Sequence, residues 1–262
     1  MVRLLAKAAE RFWGIRLSRI ASETRARLAD LSPEVQDTIE RAQPFTMTTP
    51  DRLAALCMAV EHAVANDIPG AFVECGVWKG GSSMAAAYTY NRLQKRDVDM
   101  FLFDTFEGMS QPGKEDVDAS SGKSAQELLA VSGRDSEIWA YAPLAEVKQN
   151  IERTRYPTDK LHFVKGKVED TIPAEAPEQI SILRLDTDWY ESTKHELIHL
   201  FPRLSKNGIL IIDDYGAWAG ARKAVDEYFA MIGLKPFLNR IDVTGRLYLK
   251  TSDACGSDQA HS

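Results

Sequence analysis

Five short apolar segments, four of them delivering acidic residues at their ends, constrain this chain more than any other feature. They occupy residues 71–75, 100–104, 161–166, 180–186 and 208–213. Each is too short for a buried helix. Each runs mostly apolar without alternation, as a strand does when both faces of its sheet are covered. Parallel strands need long crossover connections, and helical stretches through Tyr88, over 192–204 and over 219–231 supply them. The pattern changes at the end. Residues 237–242 and 246–250 are joined through Val243-Thr244-Gly245 and read as an antiparallel hairpin. The expected architecture is α/β: a mostly parallel sheet covered by helices, closed by a C-terminal hairpin.

The rest of the sequence sorts around that domain. Residues 1–42 form an N-terminal helical extension, with Leu5, Ala8, Phe12 and Ile15 near helical spacing. Arg3, Lys7, Arg11, Arg16 and Arg19 lie between them. Such a basic amphipathic helix suits core packing or a subunit contact, with a membrane surface as the alternative. Residues 43–250 form the main domain. Thr49 reads as an N-cap and Pro50 as the first helical position of a helix to about Ala65. Between 108 and 157 the periodicity weakens and Gly108, Pro112, Gly113 and Gly122 cluster. A long insertion after a strand's C-terminal end reads as a lid. Residues 251–262 are a polar, flexible tail.

Composition excludes whole classes. With 262 residues, 44% hydrophobic and 27% charged, the chain can bury a full core. A net charge of −6 and no Lys/Arg-rich block argue against nucleic acid. The longest purely apolar run, 53–60, cannot span a bilayer. The first residues carry charges at Lys7, Glu10 and Arg11 and lack a signal peptide's apolar core. Cys57, Cys75 and Cys255 are odd in number and widely spaced, which suits a reduced, cytoplasmic protein. His195-Glu196-Leu197-Ile198-His199 matches the His-Glu-x-x-His pattern of zinc peptidases. No extended zincin pattern follows it, and a helix-surface pair beside Leu197, Leu200 and Leu204 is the favoured reading.

In open α/β sheets ligands bind beyond the carboxyl ends of the strands. The residues delivered there are Glu74, Asp104, Asp186 with Asp188, and Asp213 with Asp214. The turn after the first strand carries Gly76, Gly80 and Gly81 and opens a helix at Ser82 and Ser83. Its spacing is neither Gly-x-Gly-x-x-Gly nor a P-loop. Glu74 ahead of the first glycine would repel a pyrophosphate and suit a ligand with an ammonium group. That argues against NAD and ATP and for S-adenosylmethionine (SAM). A carboxylate at Asp104 can accept hydrogen bonds from ribose hydroxyls, or cap the turn that follows. The 166–170 turn could lie along an adenine, with Asp170 either a cap or a contact. Asp186, Asp213 and Asp214 would repel one another unless paired. A hard divalent cation, Mg²⁺ or Ca²⁺, resolves this; lysine partners on the surface are the alternative.

Five segments carry a resemblance: FTMTTPDRL at 45–53, VECGVWKGGSS at 73–83, LFDTFEGM at 102–109, LRLDTDWYEST at 183–193 and ILIIDDYG at 209–216. Together they resemble the macrocin O-methyltransferase family, whose members methylate sugar hydroxyls of natural products with SAM and Mg²⁺. The resemblance implies a Rossmann-like, seven-stranded SAM-dependent methyltransferase fold. It implies SAM along Glu74, Gly76, Gly80, Ser82 and Ser83, ribose on Asp104, adenine near Val168, Thr48 near the methionine end, and Asp186 as a further cofactor-binding residue. It implies metal ligation by Asp186, Asp213 and Asp214, and Asp188 as general base. The catechol-type relatives use a lysine base; no lysine stands at this position, and Lys194 lies too far along. The implied acceptor is a sugar-bearing small molecule, and the implied assembly a homodimer or higher homo-oligomer. A metal-independent methyltransferase and a non-catalytic SAM-fold binding protein are the rival readings.

Overall fold

The computed structural model describes residues 28–133 and 136–252. The basic amphipathic stretch expected near the N-terminus and most of the expected tail lie outside the described residues. Seven strands form one sheet: β1 (Ala71–Cys75), β2 (Met100–Asp104), β3 (Leu161–Lys165), β4 (Ile180–Leu185), β5 (Leu204–Ile212), β6 (Asn239–Arg240) and β7 (Arg246–Leu249). Their spatial order is β3-β2-β1-β4-β5-β7-β6. The first five pair in parallel; β7 runs antiparallel to β5 and to β6. The chain leaves β1 toward β2 and β3, then returns to build β4 and β5 on its other side. That reversal is the topological switch point where such sheets open a ligand crevice.

The helices in chain order are α1 (Pro33–Ala42), α2 (Pro50–Ala65), α3 (Gly81–Arg92), α4 (Ala125–Val131), α5 (Leu144–Glu152), α6 (Val168–Thr171), α7 (Tyr190–Leu200) and α8 (Ala219–Met231). Ser32 caps α1, and Thr49 caps α2 by accepting from the Arg52 N–H, with Pro50 opening that helix. Residues of α1, α2, α3 and α5 pack on one sheet face around Phe72, Leu102 and Ile182. Residues of α7 and α8 pack on the other around Val73, Phe103 and Leu183. Successive strand residues point to opposite faces, so both faces of β1, β2 and β4 are buried. Each side chain buried there contributes roughly 1.5–3 kcal/mol. A third, small cluster joins Ala125, Leu129 and Trp189 with Met109, Trp139 and Trp218 above the strand ends.

Three expected elements change their bounds. The helix expected over 192–204 starts earlier and stops at Leu200, because Pro202 breaks it into a 3₁₀ turn over Phe201–Arg203. Strand β5 therefore begins at Leu204 instead of Gly208. The hairpin strand expected over 237–242 shrinks to Asn239–Arg240. Asp242 Oδ1 accepts from the Thr244 and Gly245 N–H groups and turns the chain there. The 108–157 stretch divides in two. Its later part, α5, packs into the core with Val147 and Ile151 fully buried, while Gly108, Met109, Ser110, Ile138 and Ala140 of its earlier part line the crevice.

Candidate active site

A cavity of about 410 Å³ opens at the carboxyl ends of β1, β2, β4 and β5. One end is walled by Gly76, Val77, Trp78, Asp104 and the 166–169 turn. Asp104 organises this end: Oδ2 accepts from the Val77 and Trp78 N–H groups at 2.7 and 3.0 Å, and Oδ1 from Phe106 N–H at 2.6 Å. Burial pushes its carboxyl upward and those N–H groups pull it back. Gly76 has φ +84°, and a Cβ there would run into the Asp186 carbonyl. The first turn can therefore pass this close to β4 only as glycine. Ser82 and Val168 are expected residues that also reach the cavity, as does Thr48 toward its acidic end.

Three expected cofactor-binding residues stand behind the wall. Glu74 is 1% exposed. It is the penultimate residue of β1, and strand alternation turns it onto the face covered by α3. There its carboxylate accepts from Ser83 Oγ and from Arg184 Nη1, the latter at 2.6 Å. Ser83 thus serves Glu74, and Gly80 packs on Ile151. None of the three lines the cavity.

The other end is acidic. Asp186, Asp188, Asp213 and Asp214 all line it. Two arginines that the motif reading passed over hold Asp186 and Asp213. Arg184 is 2% exposed and contacts Glu74, Asp186 (2.8 Å) and Asp213 (2.9 Å). Arg52, from the first turn of α2, pairs with Asp213 and Asp242. Thr48 Oγ1 donates to Asp213 Oδ2 at 2.8 Å. The signal for Arg184 was a lone charge inside the apolar run ISILRL. Its partners follow from register, which places Glu74 directly opposite Arg184 on neighbouring strands.

Asp188 sits in a γ-turn, φ +66°, closed by Trp189 N–H donating to Thr187 O at 2.7 Å. This conformation is strained for a side-chain-bearing residue, and such strain concentrates at functional sites. The turn brings its carboxyl within hydrogen-bond reach of Asp214 and Trp218. Burial, reinforced by the Asp186 charge, pushes Asp188 up to about 7. Burial and Asp213 push Asp186 up to about 6 against the pull of Arg184. Asp214 is driven well above the carboxylate range by burial and its three acidic neighbours. Trp189 and Trp218 meet edge to face, centroids 4.9 Å apart, beside these acids.

The residues fit a divalent cation in chemistry. Six carboxylates, Glu74 and Asp242 included, stand against two guanidiniums, and all the donors are oxygens. The buried Asp213 Oδ1 and Arg184 Nη2 lie 2.9 Å apart without a hydrogen-bonding angle, so neither atom makes a hydrogen bond. The side chains as they stand are not converged: among the described residues no three His, Cys, Asp or Glu groups form a ready ion site. The zinc-peptidase pattern dissolves. His195 and His199 meet at a tilt near the surface, ring centroids 4.4 Å apart, with His195 Nε2 on Ile172 O, whereas Glu196 turns into the core and accepts from Thr187 Oγ1.

A sheet of this order, with a glycine turn after β1, an acid closing β2 and a terminal antiparallel hairpin, defines a SAM-dependent methyltransferase. The comparisons sharpen the class. The profile of the macrocin O-methyltransferase (TylF) family matches residues 14–250, and the chain belongs to that family of SAM-dependent O-methyltransferases. It is 34% identical over 220 residues to the 8-demethyl-8-(2,3-dimethoxy-alpha-L-rhamnosyl)-tetracenomycin-C 4'-O-methyltransferase of Streptomyces olivaceus, covering 82% of this chain and 78% of that one. It is 30% identical over 210 residues to the demethyldecarbamoylnovobiocin O-methyltransferase of Streptomyces niveus, covering 80% and 77%. The solved structure of the O-methyltransferase NovP superimposes with a TM-score of 0.70 at 30% identity, covering 79% of this chain and 83% of that one. Among the described residues no helix is long and apolar enough to cross a membrane.

Proposed function

We propose that the chain transfers a methyl group from SAM to a hydroxyl of a sugar, or another vicinal diol, carried by a small natural product. The observation that carries this reading is the division of one cavity. One end is lined by a glycine turn and Asp104; the other gathers Asp186, Asp188, Asp213 and Asp214 beside Trp189 and Trp218. The relatives named above methylate natural products, one of them at a position of a rhamnosyl compound. SAM supplies an electrophilic methyl group. Asp104 and the 76–78 turn would hold its ribose side, Val168 would border the adenine, and Thr48 and Asp186 would stand near the methionine end.

Asp186, Asp213 and Asp214 would hold Mg²⁺, which supplies Lewis acidity toward an acceptor oxygen when bound. Asp188 would accept the proton of the attacking hydroxyl, its raised affinity for protons suiting a base that works near neutral pH. Gly108, Met109, Ser110, Ile138 and Ala140, on the cavity wall, would border the acceptor. A metal-independent course has its own support, because Arg184 and Arg52 already neutralise Asp186 and Asp213. The reading extends to a cytoplasmic setting, in keeping with the buried free thiols Cys57 and Cys75, and to a homo-oligomer, checked by light scattering.

The test is methyl transfer from SAM to a panel of rhamnosyl and other deoxysugar glycosides, read by mass spectrometry, with Mg²⁺ and with EDTA. Turnover that stops in EDTA and returns with Mg²⁺ supports the metal-dependent course; full turnover in EDTA selects the metal-independent one. Asp188→Asn should lower kcat by about 10²–10⁴ while S-adenosylhomocysteine still binds. Unchanged kcat removes the base assignment.

A further inference from the structure

Asp116 lies outside every segment that carries the family resemblance, yet none of its surface is exposed. Two backbone groups hold its carboxylate. Oδ1 accepts from Tyr190 N–H at 2.8 Å and Oδ2 from Gly113 N–H at 2.7 Å. Tyr190 is the first residue of α7. Gly220, the second residue of α8, packs so closely that a Cβ there would overlap Asp116 Oδ1. One carboxylate therefore sits at the positive ends of two helix dipoles, where a negative charge is favoured.

Those two helices follow the two acidic loops. The loop before α7 carries Asp186 and Asp188; the loop before α8 carries Asp213, Asp214 and Trp218. The backbone around Asp116 is stitched to the second loop as well. Ala119 N–H donates to Ala217 O at 2.8 Å, and Ala219 N–H to Val117 O at 2.9 Å. Asp118 bridges Trp218, and Val117 bridges Ser124. Ala125 N–H donates to the Asp116 carbonyl at 2.8 Å, which ties in the start of α4. Burial and the nearby Glu115 and Glu191 charges oppose ionisation of Asp116, and the two N–H groups favour it. A carboxylate kept in such surroundings contributes little as a generic surface acid. Its geometry serves to fix elements against one another.

We propose that Asp116 is a positioning residue for methyl transfer: it clamps the segment above the cavity to the first turns of α7 and α8, and so sets Asp188 and Trp218 at the acceptor end. This rests on the functional reading above. A displacement of about 1 Å at a reacting group can cost roughly a hundredfold in rate, so a clamp remote from the chemistry can govern it.

The test uses the full chain and two variants that attack the same contact from opposite sides. Asp116→Asn keeps the shape but turns an amide toward one of the two N–H donors. Gly220→Ala pushes a methyl group onto Oδ1. Both should lower kcat by about tenfold to a hundredfold and raise the acceptor KM. S-adenosylhomocysteine affinity by calorimetry should stay unchanged, because the 76–78 and 166–169 walls do not touch Asp116. Amide hydrogen exchange should quicken over 113–125, 187–190 and 214–219 and stay unchanged in β1 and β2. Unchanged exchange in those segments overturns the proposal. So does faster exchange with unaltered kcat and acceptor KM, or a fall in S-adenosylhomocysteine affinity that tracks the fall in kcat. Exchange and calorimetry need no acceptor. A wild-type chain that methylates no glycoside therefore defeats the functional reading, while the exchange data still decide whether the clamp exists.

Discussion

At one end of the cavity Asp104 commits its carboxylate to three backbone N–H groups, and the turn it organises is complete without any ligand. At the other end burial and repulsion from neighbouring acids raise the proton affinity of both Asp188 and Asp214, and the buried Asp213 Oδ1 makes no hydrogen bond. The first end is held by backbone and is preorganised. The second is held by two arginines and retains an excess of acid. The difference shows where this protein places its unsatisfied electrostatics: at the end lined by Asp186, Asp188, Asp213 and Asp214, not at the end organised by Asp104. Preorganised dipoles need no rearrangement during reaction, whereas an excess of buried charge is tolerable only with a counter-charge nearby.

The strongest way to break the comparison is to remove the counter-charge. Arg184→Met leaves Glu74, Asp186 and Asp213 without their shared guanidinium. Losing one partner of a buried ionic network costs about 3–5 kcal/mol, a large part of the roughly 5–15 kcal/mol that holds a domain folded. The urea midpoint, followed by tryptophan fluorescence, should fall steeply. A loss below about 1 kcal/mol, the range of exposed pairs, would mean that the acid end is solvated and does not depend on Arg184.

Asp104→Asn tests the other end. Whichever way the amide turns, its NH₂ faces backbone donors. A buried donor left unpaired costs about 1–3 kcal/mol. The cost falls on the 76–78 turn, so S-adenosylhomocysteine affinity should drop by about tenfold to a hundredfold, with kcat at saturating SAM much less affected. Equal losses in affinity and kcat would show that the two ends are not built independently.

How far these arrangements could be read in the sequence depends on the range of the interaction. The five parallel strands were legible because each is a local apolar run, and the acids at their ends came with them. Thr49 and Pro50 were legible as a helix start for the same local reason. Glu74 was not. Its motif points to a ligand, but its direction is set by strand alternation and its partner by the β1–β4 register, which aligns it with Arg184, 110 residues away. Arg52 joins α2 to Asp213 and Asp242 across comparable distances in sequence. The helix over 192–204 was overextended because its apolar spacing continues past Pro202, which ends it. Asp116 carried no local signal, since its partners are two helix termini brought together only by the fold.

The smallest effect belongs to a third group of charges, at the opposite edge of the sheet, and it sharpens the contrast. Asp99 sits just before β2 and contacts Lys160 at 3.3 Å and His162 at 2.8 Å, with its side chain 40% exposed. Partial burial pushes its carboxyl up, but the His162 and Lys160 contacts outweigh it and hold the group below the usual aspartate value. A depressed carboxyl stabilises the fold above its unfolded value, near 3.8, and that contribution fades as pH falls through the folded value. Exposed pairs of this kind contribute about 0–1 kcal/mol. Asp99→Asn should therefore lower Tm at pH 7 by no more than about 2–4 °C. The difference from wild type should shrink in high salt, which screens exposed charges, and shrink again as pH drops below about 4. Melting curves at pH 7 and pH 3.5, each at low and high salt, check this. A larger loss that ignores salt would place Asp99 in the same category as the Arg184 network. Burial, which separates the two ends of the cavity from each other and both from this edge, would then no longer be what decides the value of a charge in this fold.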